Sequence, residues 1–222
     1  MSRKRASFFI DGFNLYHSIA NTRGFNRYKW LNLWSLCGKF ITASEEINNV
    51  FYFTAYANWK PSSASRHRAY VAANQCFGCQ PIFGKFIEKD RVSLVECSQP
   101  CAPKNGKNKC NKTFKIHEEK MTDVNIAVQL LKTCVTGVCD AAYLVSGDND
   151  LIPALVTAHE LCPTIDFRVV IPPNAKARSL TKACLEHGFK YLSINEKHLA
   201  ASQLPNSVIS GYKTYTRPNH WT

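Results

Sequence analysis

The chain predicts an α/β fold, a mostly parallel central sheet covered by helices on both faces. Three observations predict it. Apolar, strand-like runs alternate with helix-like segments along most of the sequence. The 222 residues are 45% hydrophobic and 20% charged, enough for one globular domain with a full core and a small insertion. Two acidic residues follow directly on strand-like runs, where parallel sheets collect their ligands.

Residues 6–10 (ASFFI) form a short apolar strand leading into Asp11, and a helix begins near Phe13. Residues 33–41 read as a second helix. Residues 49–57 are β-branched and aromatic, hence a strand. Residues 62–77 follow Pro61 and read as a helix. Residues 80–87 read as the next strand, with Gly84 inside it. Residues 90–117 break the pattern: they are polar, rich in lysine, and carry Pro100, Pro103 and Gly106. From Thr122, a suitable N-cap, helical periodicity returns, with Val124, Ala127, Val128, Leu131 and Val135 predicted on one buried face. Residues 141–145 read as a buried strand, 150–161 as a helix with Pro153 in its first turn, and 167–171 as a strand. Residues 175–187 read as a helix ended by Gly188, and 190–194 as a last strand. After about residue 201 no period is visible, and a surface tail is expected.

Lys+Arg 28 against Asp+Glu 16 gives a formal net charge of +12. Such an excess suits a polyanionic partner, because phosphates bind Lys and Arg with release of counterions. No apolar run approaches the ~18 residues needed to cross a bilayer. The apolar run before Asp11 is too short for a signal-peptide core. A cytosolic protein without a membrane partner is expected, and ten cysteines in that compartment do not suggest a disulfide framework. Cys37, Cys134, Cys162 and Cys184 sit among apolar residues and are expected in the core.

The acidic residues carry the functional signal. Asp11, Asp123, Asp148 and Asp150 each lie beside an apolar stretch, where an unpaired carboxylate is costly. Each has a bland reading as a helix cap or turn residue. A shared cation accounts for all four at once, and oxygen ligands favour Mg²⁺ or Mn²⁺ over Zn²⁺. Asp11 and Asp148 follow strands and belong at one sheet edge. Asn14 and Ser146 would orient water or phosphate, and Glu119 could join the carboxylates. Lys120 could neutralise a phosphate.

Three segments, IDGFNLYHSI, EEKMTDVNIAVQLL and YLVSGDNDLIPAL, in this order and spacing, resemble the NYN domain family of the PIN-like ribonuclease superfamily. The resemblance implies a Rossmann-like α/β/α sandwich spanning residues 5–200, with residues 201–222 as a tail. It also implies a Mg²⁺- or Mn²⁺-dependent ribonuclease centre, whose positions fall in this sequence on Asp11, Asn14, Asp123, Asp148 and Asp150, with Glu119 and Ser146 as additional members. RNA is the expected partner, with DNA as the alternative polymer and a homodimer as a further option. The competing reading is a non-catalytic RNA-binding or partner-recruiting module. A phosphatase of the haloacid-dehalogenase type would need a second Asp two residues after Asp11, where Phe13 stands.

The insertion, residues 90–118, holds Cys97, Cys101, Cys110 and His117. It has few apolar residues with which to fold, and a structural Zn²⁺ on these four ligands would order it. Its Lys104, Lys107, Lys109, Lys112 and Lys115 would then join Lys120 in a wall that grips RNA.

Overall fold

The computed structural model describes residues 2–92, 104–105, 109–110 and 113–221. The elements run β1 (Lys4–Asp11), α1 (Gly12–Asn21), α2 (Leu33–Cys37), β2 (Glu45–Thr54), α3 (Pro61–Gln75), β3 (Cys79–Phe83) and β4 (Lys85–Val92). The short β5 (Lys104–Asn105) and β6 (Lys109–Cys110) follow, then β7 (Thr113–Lys120), α4 (Thr122–Val135), β8 (Ala141–Val145) and α5 (Ile152–Leu161). The chain closes with β9 (Asp166–Ile171), α6 (Arg178–Glu186), β10 (Lys190–Ser193), α7 (Glu196–Ala200), β11 (Ser207–Ser210) and β12 (Lys213–Thr216).

Six strands form one sheet in the order β10-β9-β8-β1-β2-β3, and every neighbouring pair is parallel. The expected α/β class is therefore the observed one. β1 sits in the middle, buried on both sides, which is why ASFFI has no polar alternation. Ala6, Phe8 and Ile10 enter one core with Trp30, Leu33 and Tyr143, while Phe9 enters the other with Ile126, Leu130 and Leu144. Phe8 stacks on Tyr143 at 4.3 Å between ring centres. From β1 the chain moves outward to β2 and β3, then returns to β8 on the opposite side. The strand order reverses between β1 and β8, and at such a point the loops after two neighbouring strands diverge and leave a crevice.

Four expectations change. The single strand over 80–87 is two. At Gly84 the backbone runs so close to the β7–α4 junction that a Cβ would lie 2.6 Å from Thr122 Oγ1. There the chain leaves the sheet, and β4 pairs with β7 as an antiparallel ribbon from Lys85↔Lys120 to Val92↔Thr113. The buried face of α4 is also different. Ile126, Leu130 and Cys134 are buried, whereas Val124, Val128 and Val135 are 63%, 58% and 62% exposed. Apolar residues occupy more than one stripe of this helix, so periodicity allowed either, and packing against the sheet chose the other. Thr122 is not the N-cap: Met121 is, in the left-handed region at φ 80°, and the Thr122 hydroxyl turns back to Glu119.

The C-terminal segment is more than a surface tail. β11 and β12 form a hairpin, and Trp221, 7% exposed, packs against Trp30 and Tyr70. Cys37, Cys134 and Cys184 are buried as expected, while Cys162 is half-buried. Among the described residues no helix is long and apolar enough to cross a membrane.

Candidate metal centre

Asp11 ends β1 and caps α1. Its Oδ1 accepts the Asn14 backbone N–H at 2.9 Å, and its Oδ2 accepts the Ser146 hydroxyl at 2.9 Å. Gly12 makes the tight exit from β1 feasible, since a Cβ there would meet the Phe53 carbonyl oxygen at 2.5 Å. Asn14 Oδ1 accepts the Gly147 N–H at 2.9 Å, tying α1 to the turn after β8. Ser146 Oγ also accepts the Asp148 N–H at 3.1 Å. Asn14 and Ser146 thus spend these hydrogen bonds on positioning Asp11 and the Ser146–Asp148 turn.

Asp148 caps the 3-10 helix Asn149–Leu151 by accepting the Asp150 N–H at 3.0 Å. Asn149 Oδ1 accepts the Leu180 N–H at 3.0 Å and fixes this turn against α6. Asp123 lies in the first turn of α4, brought over the sheet edge by the sharp reversal at Met121. Among the described residues, Asp11, Asp123 and Asp148 form one group with an oxygen each within 4.8 Å of one another. Asp150 is exposed and lies outside that group, though its charge acts on Asp123.

The electrostatics reflect this crowding. Burial pushes the Asp11 carboxyl from an ordinary 3.8 up to about 6, against the opposing pull of its Asn14 and Ser146 hydrogen bonds, with Asp123 and Asp148 pushing the same way as burial. Burial likewise raises Glu119 from 4.5 to about 7, offset by the Thr122 hydroxyl and reinforced by Asp11 and Asp123. Asp123 is raised by burial and then by Asp148 and Asp150. Carboxylates held this close together, with Asp11 and Asp123 both raised, are what a bound cation would relieve. The all-oxygen donor set suits Mg²⁺ or Mn²⁺.

These groups line an open cleft of about 540 Å³. Glu119 borders it, as do Lys176 and His17, of which His17 carried no signal in the sequence. Lys176 brings a cation to the same cleft as the carboxylates, and its sequence signal is a basic residue near the start of a helix that follows a strand, a place that can receive phosphate. Beside the first turn of α1 lies a separate cavity of about 310 Å³, walled by aromatic and aliphatic residues. Phe13 borders both spaces.

The basic and cysteine-bearing insertion is placed only in part. Cys97, Cys101, Lys107 and Lys112 lie outside the described residues, and Lys104, Lys109 and Cys110 are described only as members of β5 and β6. His117 lies on β7 opposite Glu88, stacked on Trp59 at 3.7 Å between ring centres, with its Nε2 3.5 Å from the Glu88 carboxylate. Lys115 is paired with Glu88, and Lys120 with Glu118 at 3.2 Å.

Comparison with known proteins follows the same lines. A family model described as the NYN domain matches residues 5–189. The chain is 31% identical to 6-hydroxy-3-succinoylpyridine 3-monooxygenase HspA from Pseudomonas putida, over 98% of this chain and 75% of that protein. The crystal structure of a protein of unknown function from Vibrio parahaemolyticus superposes with a TM-score of 0.56 at 13% identity, over 91% of this chain and 98% of that one. That likeness concerns the fold.

Proposed function

From a chain that belongs to the NYN domain family and gathers three carboxylates at the switch point of its sheet, we propose a ribonuclease that uses Mg²⁺ or Mn²⁺ to hydrolyse RNA phosphodiester bonds internally. The single observation behind this reading is the convergence of Asp11, Asp123 and Asp148 within 4.8 Å, from elements far apart in sequence. When bound by these three residues, the cation would neutralise phosphate charge and lower the pKa of a water.

The chain's own groups divide the remaining work. Asn14 and Ser146 hold Asp11 in one orientation, so the site is organised before substrate arrives. Asp150, exposed beside Asp123, adds negative potential at the rim and is the fourth carboxylate available to a second cation. Glu119, raised to about 7, sits where a proton leaving an attacking water could be received at neutral pH. Lys176, lining the same cleft, would meet a phosphate oxygen.

The insertion retains its proposed role. Cys97, Cys101 and Cys110 would hold a structural Zn²⁺, with His117 as the fourth ligand, and the lysines 104, 107, 109 and 112 would add positive potential for an RNA partner. Lys115 and Lys120 would have to exchange their glutamate partners for phosphate.

A cleavage assay tests the assignment. The purified protein should cut single-stranded RNA in Mg²⁺ or Mn²⁺ and not in EDTA. Asp11→Asn and Asp148→Asn should each lower the rate by about 100-fold or more, since even partners one step removed from a metal are worth ~10–100-fold. Undiminished cutting by folded variants would refute the site.

A second reading follows the name of the Pseudomonas relative, oxygenation of a heteroaromatic acid. The aromatic cavity beside Phe13 is the feature that favours it. Incubation with a hydroxypyridine acid, dioxygen and a reduced nicotinamide, read by mass spectrometry for gain of one oxygen atom, separates the two.

A further inference from the structure

The cavity behind the first turn of α1 is not explained by carboxylate chemistry. It has a volume of about 310 Å³, near the lower end of the ~300–1,000 Å³ usual for small-ligand sites. Five aromatic side chains border it, Phe13, Tyr16, Tyr52, Tyr70 and Trp221, together with aliphatic ones such as Leu15 and Leu31. Such walls favour a planar ring over a flexible acyl chain, because stacked and edge-on ring contacts add to plain area burial.

Two cations stand at this cavity, Arg66 and Lys29, and the Lys29 ammonium lies 5.0 Å above the centre of the Tyr16 ring. Tyr16 itself is 41% exposed, an aromatic surface open to solvent. Polar contacts are few and specific. Thr54, Ser63 and His67 border the space, and Thr54 Oγ1 lies 3.1 Å from His67 Nε2. Burial, then the charge of Arg68, lowers His67 to about 4, so its imidazole is neutral and can offer a donor or an acceptor to a ring edge. A planar ring with an attached anion is the ligand these features match.

The position narrows the choice. Gly12, the residue after Asp11, borders the cavity, and Phe13 borders both the cavity and the carboxylate cleft. A nucleotide whose phosphate lay over Asp11 would have its base within reach of this opening. We propose that the cavity receives the unstacked base of the nucleotide adjoining the cleaved phosphate, with Arg66 and Lys29 holding the neighbouring backbone. The inference rests on the ribonuclease reading. It makes the substrate single-stranded at that nucleotide, because a paired base cannot enter.

The test uses the full chain and a short fluorescent single-stranded RNA in EDTA, where nothing is cut. One abasic nucleotide is moved along the RNA, and affinity is read by anisotropy. For the native chain, one position should lose about tenfold, the scale of a single stacked base. Ser63→Phe, which fills the cavity, should bind intact RNA about tenfold more weakly and lose the abasic penalty. Tyr16→Ala, at an exposed position, should reduce the penalty without risk to the core. Melting by circular dichroism confirms that both variants fold.

An affinity insensitive to every abasic position would overturn the proposal, as would an undiminished penalty in both folded variants. Displacement of RNA by nicotinate, a free heteroaromatic acid, with no abasic penalty would also overturn it and assign the cavity to a small molecule. The same RNAs are then incubated in Mn²⁺. Base-dependent binding without cutting supports the base site and removes only the ribonuclease reading. Cutting that ignores the abasic nucleotide removes the base site and leaves the ribonuclease reading intact.

Discussion

Asp11→Asn should make the metal-free protein more stable at neutral pH while removing its response to metal. Asp11 is 4% exposed, and its carboxyl is raised from 3.8 to about 6 chiefly by burial. A folded-state pKa above the unfolded one favours the neutral acid in the folded protein. The stability associated with that neutral form is complete below pH ~4 and is lost as pH rises through about 6. The difference of roughly two pKa units, at about 1.36 kcal/mol each, corresponds to about 3 kcal/mol by pH 7.5. An amide keeps the shape, can still accept the Asn14 N–H, and carries no charge to desolvate. In EDTA at pH 7.5 the variant should therefore melt higher by roughly 6–12 °C, at ~2–4 °C per kcal/mol for a chain of this size.

The gain should vanish near pH 4, where the native Asp11 is already protonated. Saturating Mn²⁺ should reverse the order. A cation at about 100 times its Kd would stabilise the native protein by ~2.7 kcal/mol, and the variant far less. Differential scanning fluorimetry across pH, with EDTA or Mn²⁺, reads all three arms. A variant no more stable than the native chain at pH 7.5 in EDTA would refute the burial cost. Equal stabilisation of both proteins by Mn²⁺ would remove Asp11 from the metal site.

Three further changes probe the surroundings. Ser146→Ala removes a hydrogen bond that lowers the Asp11 pKa, so the Asp11 carboxyl should titrate above 6 by NMR, and stability should fall by ~1–3 kcal/mol from polar groups left unpaired; an unmoved titration would show that this hydroxyl does not hold Asp11. Met121→Gly relieves a left-handed backbone that costs an ordinary residue ~1–2 kcal/mol, offset by the greater freedom of glycine when unfolded; a net rise of about 0.5–1 kcal/mol in urea unfolding is expected, and a loss would place the value of Met121 in its side chain. Ile126→Ala should cost ~2–5 kcal/mol and Val128→Ala no more than ~0.5 kcal/mol, because only the first is buried; the reverse order would restore the face that periodicity suggested.

Local sequence was most informative where one residue's neighbours decide its state. The run ASFFI is apolar apart from Ser7, and buried at every position, because a central strand of a parallel sheet is covered twice, so the strand and its depth are legible in its composition. Asp11 and Asp148 could be placed at one edge because each directly follows such a strand. Gly84 was visible inside its strand, yet the exit of β4 from the sheet depends on the β7–α4 junction pressing against it. The exposed valines of α4 show the same limit, since several apolar stripes satisfy the helical period equally well. Trp221 lay in a segment with no period, and contacts distant in sequence, Trp30 and Tyr70 among them, make it a core residue.

The sequence by itself determined the α/β class and the membership suggested by three ordered motifs, and it singled out the carboxylates to look for. Those follow from short-range patterning and from the cost of leaving charge beside apolar chain. Tertiary structure alone decided which carboxylates converge. Asp123 joins Asp11 and Asp148 because a left-handed residue turns β7 into α4 over the sheet edge, whereas Asp150, exposed in the same turn that delivers Asp148, stays outside the group. It also decided that Asn14 and Ser146 hold the framework, and that an aromatic cavity opens behind Phe13. Both arise from contacts between residues more than a hundred positions apart or from walls drawn from several elements, a geometry that no local pattern encodes.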